Sequence, residues 1–421
     1  MELSPRGTKM GGLSGIRTIM EDIGIAASDS SGGTWLNLSP GNPADISEVT
    51  DTWRGLQQEA LAARFPEVSG RYGPSRGSEG LVDAIVRYFN RRYGWSITPR
   101  NVLVGTGCQM LAFMATTIFT GTYPDGPRHL VLPSVPDYTG YQGLNLEAGG
   151  IVGVAPGVEH LEGRLFRYTF DLEAVRRQPS MGMMLLSSPG NPTGRSIEPD
   201  ALAGLIQIAE ERDVPLFIDH AYGDPFPSVA QDLVEPPLHP NVINGFTLSK
   251  AGLPGERIGF VIGPEEAVDV LVSFTANSHL HAPQLIQATV ERALNTGVID
   301  TLTTEVVKPY YRRKRLVAEK LLHEILPDSV DWRLHSTEGG MFCWLWIDHD
   351  WFDDLEMYEA LKRKKVFVVP GRHFFVPPFD SPFLAEHATR CMRLSLSPDE
   401  SVLAEGIRRF AEALEEMRAA R

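Results

Sequence analysis

Cysteine is scarce in this chain of 421 residues: Cys108, Cys343 and Cys391 are the only three. They are odd in number and far apart, which excludes a disulfide framework or a cysteine-built metal centre and favours a reducing cytoplasm. Positive charge is in short supply as well. A net charge of −14 excludes a broad nucleic-acid or anionic-membrane surface, although it leaves room for a local basic pocket. No run of about 18 apolar residues is present to span a membrane. Glu2, Arg6 and Lys9 lie near the start with no apolar core and cleavage site after them, so no secretory signal is expected. Internal repeats and low-complexity tracts are also missing.

What is present is ordinary globular composition, 43% hydrophobic and 22% charged, at a length that suits two domains. From about residue 100, short apolar runs at 102–104, 129–132, 151–154, 183–186, 215–218, 242–247 and 258–262 alternate with helical stretches such as 110–119 and 201–212. Uniformly apolar strands alternating with helices indicate a mostly parallel sheet covered on both faces. Residues 265–325 read as helical. After about 330, strand-like runs at 332–336, 341–347, 366–369 and 391–396, with helices at 353–364 and 399–419, describe a smaller α+β unit. Upstream, Ile16, Ile19, Met20 and Ile23 mark an amphipathic segment within 13–25 that should pack on the body. Residues 36–43 form a short strand ending in a Gly/Pro turn, and 51–65 a helix. The expected fold is α/β: an N-terminal segment over 1–45, a large domain over 46–310 with the parallel sheet, and a small C-terminal domain over 311–421.

Lysine is rare too, and one of the eight is unlike the rest. Lys250 follows the apolar residues Val242, Ile243 and Phe246 and precedes the turn Gly252, Leu253, Pro254, Gly255. A lysine at the end of a buried strand loses hydration, which favours the neutral amine, and a neutral amine can form a Schiff base with a carbonyl. The plain alternative is a snorkelling side chain. Other motifs carry the same double reading. Gly105-Thr106-Gly107-Cys108-Gln109 joins a strand to a helix N-terminus, where small residues let a phosphate approach; it lacks both dinucleotide and P-loop spacing, so it can equally be a tight turn. Asn191, in PGNPTG, is either aimed at a ligand or chosen for turn geometry. Asp219, in IDHAYG, ends a buried strand at the edge where open α/β sheets bind ligands, and Tyr222 is three residues on; a helix N-cap is the alternative. Arg257 follows the Lys250 turn and suits a phosphate. Arg393 lies among Met392, Leu394 and Leu396, as a buried guanidinium awaiting an anion would, or as half of an internal ion pair.

Taken in order, the glycine–cysteine turn, PGNPTG, Asp-x-x-Tyr, Ser-Lys with a following Arg, and the late Arg span nearly the whole chain. The sequence resembles the class I/II aminotransferases that use pyridoxal 5′-phosphate (PLP), of fold type I. SGIRTIMEDI, PGNPADI, YGPSRG, SKAGLPGERIG, EGGMFCWLWI and VPGRHFF are similar to the valine–pyruvate aminotransferase subfamily. The resemblance implies a cytoplasmic enzyme of amino-acid metabolism and biosynthesis that moves an amino group between a small L-amino acid and a 2-oxo acid. It implies that Lys250 is the Schiff-base lysine, that Asp219 pairs with the pyridine nitrogen, and that Tyr222 and Asn191 meet the ring oxygen. Tyr138 would stack on the ring. Gly107, Cys108, Gln109, Ser249 and Arg257 would hold the phosphate, with Tyr72 reaching it from the other subunit of a homodimer. Arg393, Asn191 and the backbone at Gly41 would bind the substrate carboxylate. No metal is implied. Elimination, replacement or cyclisation on the same fold begins with the same α-proton loss and is the alternative chemistry; a PLP-sensing regulator would carry a DNA-binding domain before the fold. Three features depart from the family's pattern: Cys108 stands where Ser or Ala is usual, His220 follows Asp219, and 273–286, with His279 and His281, matches the subfamily poorly.

Overall fold

A computed structural model describes residues 2–12, 15–28, 34–230, 234–337, 340–376 and 381–421. Its centre is the sheet that the apolar runs predict. Across the sheet the strands run Val102–Gly105, Gly259–Ile262, Val242–Thr247, Leu216–Asp219, Met181–Ser187 and Gly126–Leu132, with Gly121–Tyr123 and Ile151–Gly153 both pairing with the last. Neighbours from Val242–Thr247 to Gly126–Leu132 are parallel. Gly259–Ile262 is inserted antiparallel to both of its neighbours.

The first five of these strands are buried at every position. Alternate residues explain why no polar face is needed. Phe217 packs on one side with Leu103, Leu185, Ile243 and Val261, while Leu216 and Ile218 pack on the other with Met184 and Leu186. Helices cover both faces, and each fully buried aliphatic or aromatic side chain contributes about 1.5–3 kcal/mol. Register then sets the site: Ser187 lies opposite Asp219, and Asp219 opposite Gly245, so neighbouring parallel strands end together.

The second sheet runs Val369–Pro370, Cys391–Ser395, Phe342–Ile347, Trp332–His335, Leu165–Thr169 and Gly157–His160. Its last two strands come from the middle of the chain, and Leu334 pairs in parallel with Leu165. The expected strand 366–369 is divided: Val366–Phe367 pairs with Leu36–Asn37, and Val369–Pro370 pairs beside Arg393. Helix Ser47–Gly70 bends at Arg64, just before Pro66, whose ring and missing N–H interrupt the helical ladder. The long helical region is interrupted at 279–283 and again at Gly297, whose φ of +73° ends helix Gln284–Thr296. Near the N-terminus, helix Gly15–Ser28 buries Ile19 and half-buries Ile23, but Met20 is exposed, contrary to the expected apolar face. Leu13 lies outside the described residues.

Candidate active site

The C-terminal ends of the parallel strands, the N-terminus of helix Cys108–Phe119 and the turn Ser249–Ala251 meet at one cavity of about 210 Å³. Asn42, Gln109, Tyr138, Asp219, Tyr222 and Lys250 line it.

Asp219 ends its strand with its side chain buried. Tyr141 Oη donates to Oδ2 at 3.0 Å and the Ala221 N–H to Oδ1 at 2.9 Å. Burial pushes the carboxyl above its ordinary range, while hydrogen bonds from Cys108, Tyr141 and Ala221 and the charge of Lys250 oppose that shift. The carboxylate is thus costly to bury and well gripped, as a group with a specific partner would be.

Lys250 Nζ donates to Gly41 O at 2.8 Å and stands 5.7 Å from the centroid of the Tyr222 ring. Burial foremost, with the charges of Arg393 and Arg257, brings its amine down to about 8, against the opposing charge of Asp219. A solvated snorkelling lysine would show none of this.

Asn191 links the two halves of the site. Its Nδ2 donates to Tyr222 Oη at 3.2 Å, and its Oδ1 accepts from Arg393 Nη1 at 3.0 Å. Arg393 Nη2 donates to Ser39 O at 2.5 Å, and Phe342 and Phe374 flank the guanidinium at 4.2 and 5.2 Å. Burial lowers its pKa to about 10, so it remains cationic at neutral pH. Its Nε is buried, with no hydrogen-bond partner among the described residues. Among the described residues, the internal ion pair that a buried arginine could have had is not formed: its hydrogen-bond acceptors are a neutral amide and a backbone carbonyl.

On the other side of the cavity, Gly107 has φ +90° and caps helix Cys108–Phe119. Its backbone conformation is one that only glycine adopts readily, and a Cβ there would also meet Arg257 Nη2 at 2.7 Å and push the arginine aside. Arg257 Nη1 reaches Ser249 Oγ at 3.4 Å and Pro254 O at 3.3 Å. Gln109 Nε2 donates to Gly140 O at 3.0 Å, leaving Oε1 buried and unpartnered. Tyr138 sets its ring edge-on to Tyr141 at 5.2 Å.

These contacts bring together Gly41, Gly107, Cys108, Gln109, Tyr138, Asn191, Asp219, Tyr222, Ser249, Lys250, Arg257 and Arg393. Tyr72 is not among them. It is 86% exposed, and its ring meets His281 at 6.0 Å. His279 and His281 do not line the cavity. His220 does not touch it either: its ring stacks on Phe246 at 5.0 Å and bonds Asn244 Oδ1 at 2.9 Å, and burial lowers its pKa to about 4. Although it follows Asp219 directly, its role is packing. Three residues of the site carried little sequence signal. Tyr141 is a second tyrosine three residues after Tyr138, Asp137 an acid between Pro136 and Tyr138, and Phe342 one apolar residue within an apolar strand.

Fold and site together define a PLP-dependent transferase of fold type I. The chain belongs to the aminotransferase class I and II family, whose model matches residues 33–410. The valine–pyruvate aminotransferase of Escherichia coli (strain K12) is 30% identical over 417 residues, covering 99% of this chain and 98% of that protein. A solved structure assigned as an amino-acid aminotransferase from Psychrobacter arcticum 273-4 matches with a TM-score of 0.94 at 29% identity, over 100% of both chains. Valine–pyruvate aminotransferase from Salmonella typhimurium LT2 matches with a TM-score of 0.86 at 27% identity, over 97% of this chain and 100% of that one.

Proposed function

We propose that this aminotransferase exchanges an amino group between a small L-amino acid and a 2-oxo acid, in the manner of valine–pyruvate aminotransferase, to which it is 30% identical. The observation that carries the chemistry is a lysine amine lowered to about 8 in a cavity it shares with a buried aspartate. The donor set fits PLP: an amine for the carbonyl, a carboxylate for the ring nitrogen, and a helix N-terminus with Ser249 and Arg257 for the phosphate. When bound, PLP supplies an aldehyde and an electron-accepting ring.

The protein's own residues then divide the work. Asp219, held by Tyr141 and the Ala221 N–H, would pair with the ring nitrogen and keep it protonated. Tyr222 and Asn191, already hydrogen-bonded to each other, would meet the ring oxygen, and Tyr138, which lines the cavity, would pack on the ring. Gly107 leaves room for the phosphate at the Cys108 and Gln109 backbone. Arg393, with Asn191 and the backbone at Gly41, takes the substrate carboxylate; its fixed fork orients Cα towards Lys250. With the cofactor in place, Lys250 would serve as the base that takes and moves the Cα proton. Tyr72 projects from the surface and would complete the phosphate site of a second copy, so the working unit is a homodimer, placed in the cytoplasm.

The test is a half-reaction. The PLP-loaded protein given a small apolar L-amino acid alone should form pyridoxamine phosphate and one equivalent of 2-oxo acid. Release of a β or γ leaving group without pyridoxamine phosphate would instead assign elimination or replacement. Lys250→Ala should abolish turnover; retention of wild-type turnover would overturn the reading.

A further inference from the structure

A buried carboxylate beside the cofactor pocket has no assigned part in the reaction. Asp137 is 6% exposed and has no cationic partner among the described residues. Its oxygens accept from the Tyr138 N–H at 2.7 Å, from the Ser187 N–H at 3.1 Å and from Ser187 Oγ. Burying a carboxylate against neutral donors alone is unfavourable, and a turn could be made with Asn or Ser instead. What Asn and Ser cannot do is accept from all of these donors at once without presenting a donor of their own.

The donors lead to the cofactor contacts. Ser187 Oγ also accepts the Asn191 N–H at 3.2 Å, so Asp137 fixes the start of the Asn191 loop through one atom. Its grip on the Tyr138 N–H sets the residue whose ring borders the cavity. The Asp137 N–H donates to Phe374 O at 3.0 Å, and the Phe374 ring flanks Arg393. Ser187 borders both the Lys250 cavity and a neighbouring one, which Asp137, Tyr168, Arg195 and His335 also line. Ser187 is thus shared by the two cavities, with Asp137 on the side away from Lys250.

We propose that the Asp137 side chain is a positioning group for the cofactor: it holds Tyr138 directly through the Tyr138 N–H, and the Asn191 loop through Ser187 Oγ, in one fixed arrangement. This rests on the reading of the cavity as a PLP site.

The full-length PLP-free protein is titrated with PLP, following the dissociation constant and the induced circular dichroism of bound PLP, alongside the unfolding temperature of the PLP-free form. Asp137→Asn keeps the shape but places an amide donor against an N–H donor. It should weaken PLP binding by about tenfold or more and reduce the induced dichroism. Ser187→Ala removes only the relay to Asn191 and should weaken binding by about threefold to tenfold with the same sign in the dichroism. Affinity within twofold of wild type and unchanged dichroism in both variants would overturn the proposal, even if the unfolding temperature fell. Should Asp137→Asn fail to fold, Ser187→Ala decides by the same criteria. Failure of the wild type to bind PLP would remove the underlying reading, and the proposal with it; failure of the proposal alone is recognised by a wild type that binds and variants that match it.

Discussion

At the scale of single residues, Lys250 has a property that can be measured before any substrate is added. Its amine is brought down to about 8 by burial and by the nearby arginine charges. The neutral form is the one that attacks a carbonyl, and at pH 7 roughly a tenth of such amines are neutral, against well under a thousandth for an ordinary lysine. The rate at which PLP-free protein takes up PLP should therefore rise with pH and level off above about 8. An ordinary lysine would keep rising past pH 10. Because the charge of Arg393 lowers the amine, Arg393→Gln should move the midpoint upward; a midpoint unmoved by that change would show that the two groups do not interact. Lys250 was legible in the sequence because its neighbours are apolar and the other lysines are not so placed. Tyr141 and Asp137 were not. Their roles depend on contacts with Asp219 and Ser187, 78 and 50 residues away, and no local pattern encodes such contacts.

At the scale of elements, the strands that could be read are those buried at every position, since a continuous apolar run needs no partner to be recognised. The strands that were missed are half-exposed. Gly157–His160 and Leu165–Thr169 have mixed burial and carry Glu159, His160 and Arg167, so neither alternation nor an apolar run marks them. That Gly259–Ile262 runs antiparallel was also hidden, because strand direction depends on the connection rather than on composition. The break at 366–370 follows from pairing: each fragment meets a different sheet. His220 shows the converse error. Adjacent to Asp219 in sequence, it points to the opposite side, as successive residues leaving a strand do, and packs on Phe246.

At the scale of the whole molecule, the site is assembled from the entire length of the chain: Gly41, Gly107, Asn191, Asp219, Lys250 and Arg393 come from separate elements and converge at one strand edge. The order of motifs made that convergence readable, because it matches the family's arrangement over nearly the whole chain. Tyr72, 86% exposed, stands outside this convergence. The central claim is that one lysine of eight holds the cofactor. Borohydride reduction of the PLP-loaded protein, followed by digestion and mass spectrometry, tests it most directly. The account predicts a single reduced PLP adduct on Lys250; an adduct on another lysine, or none, would contradict it.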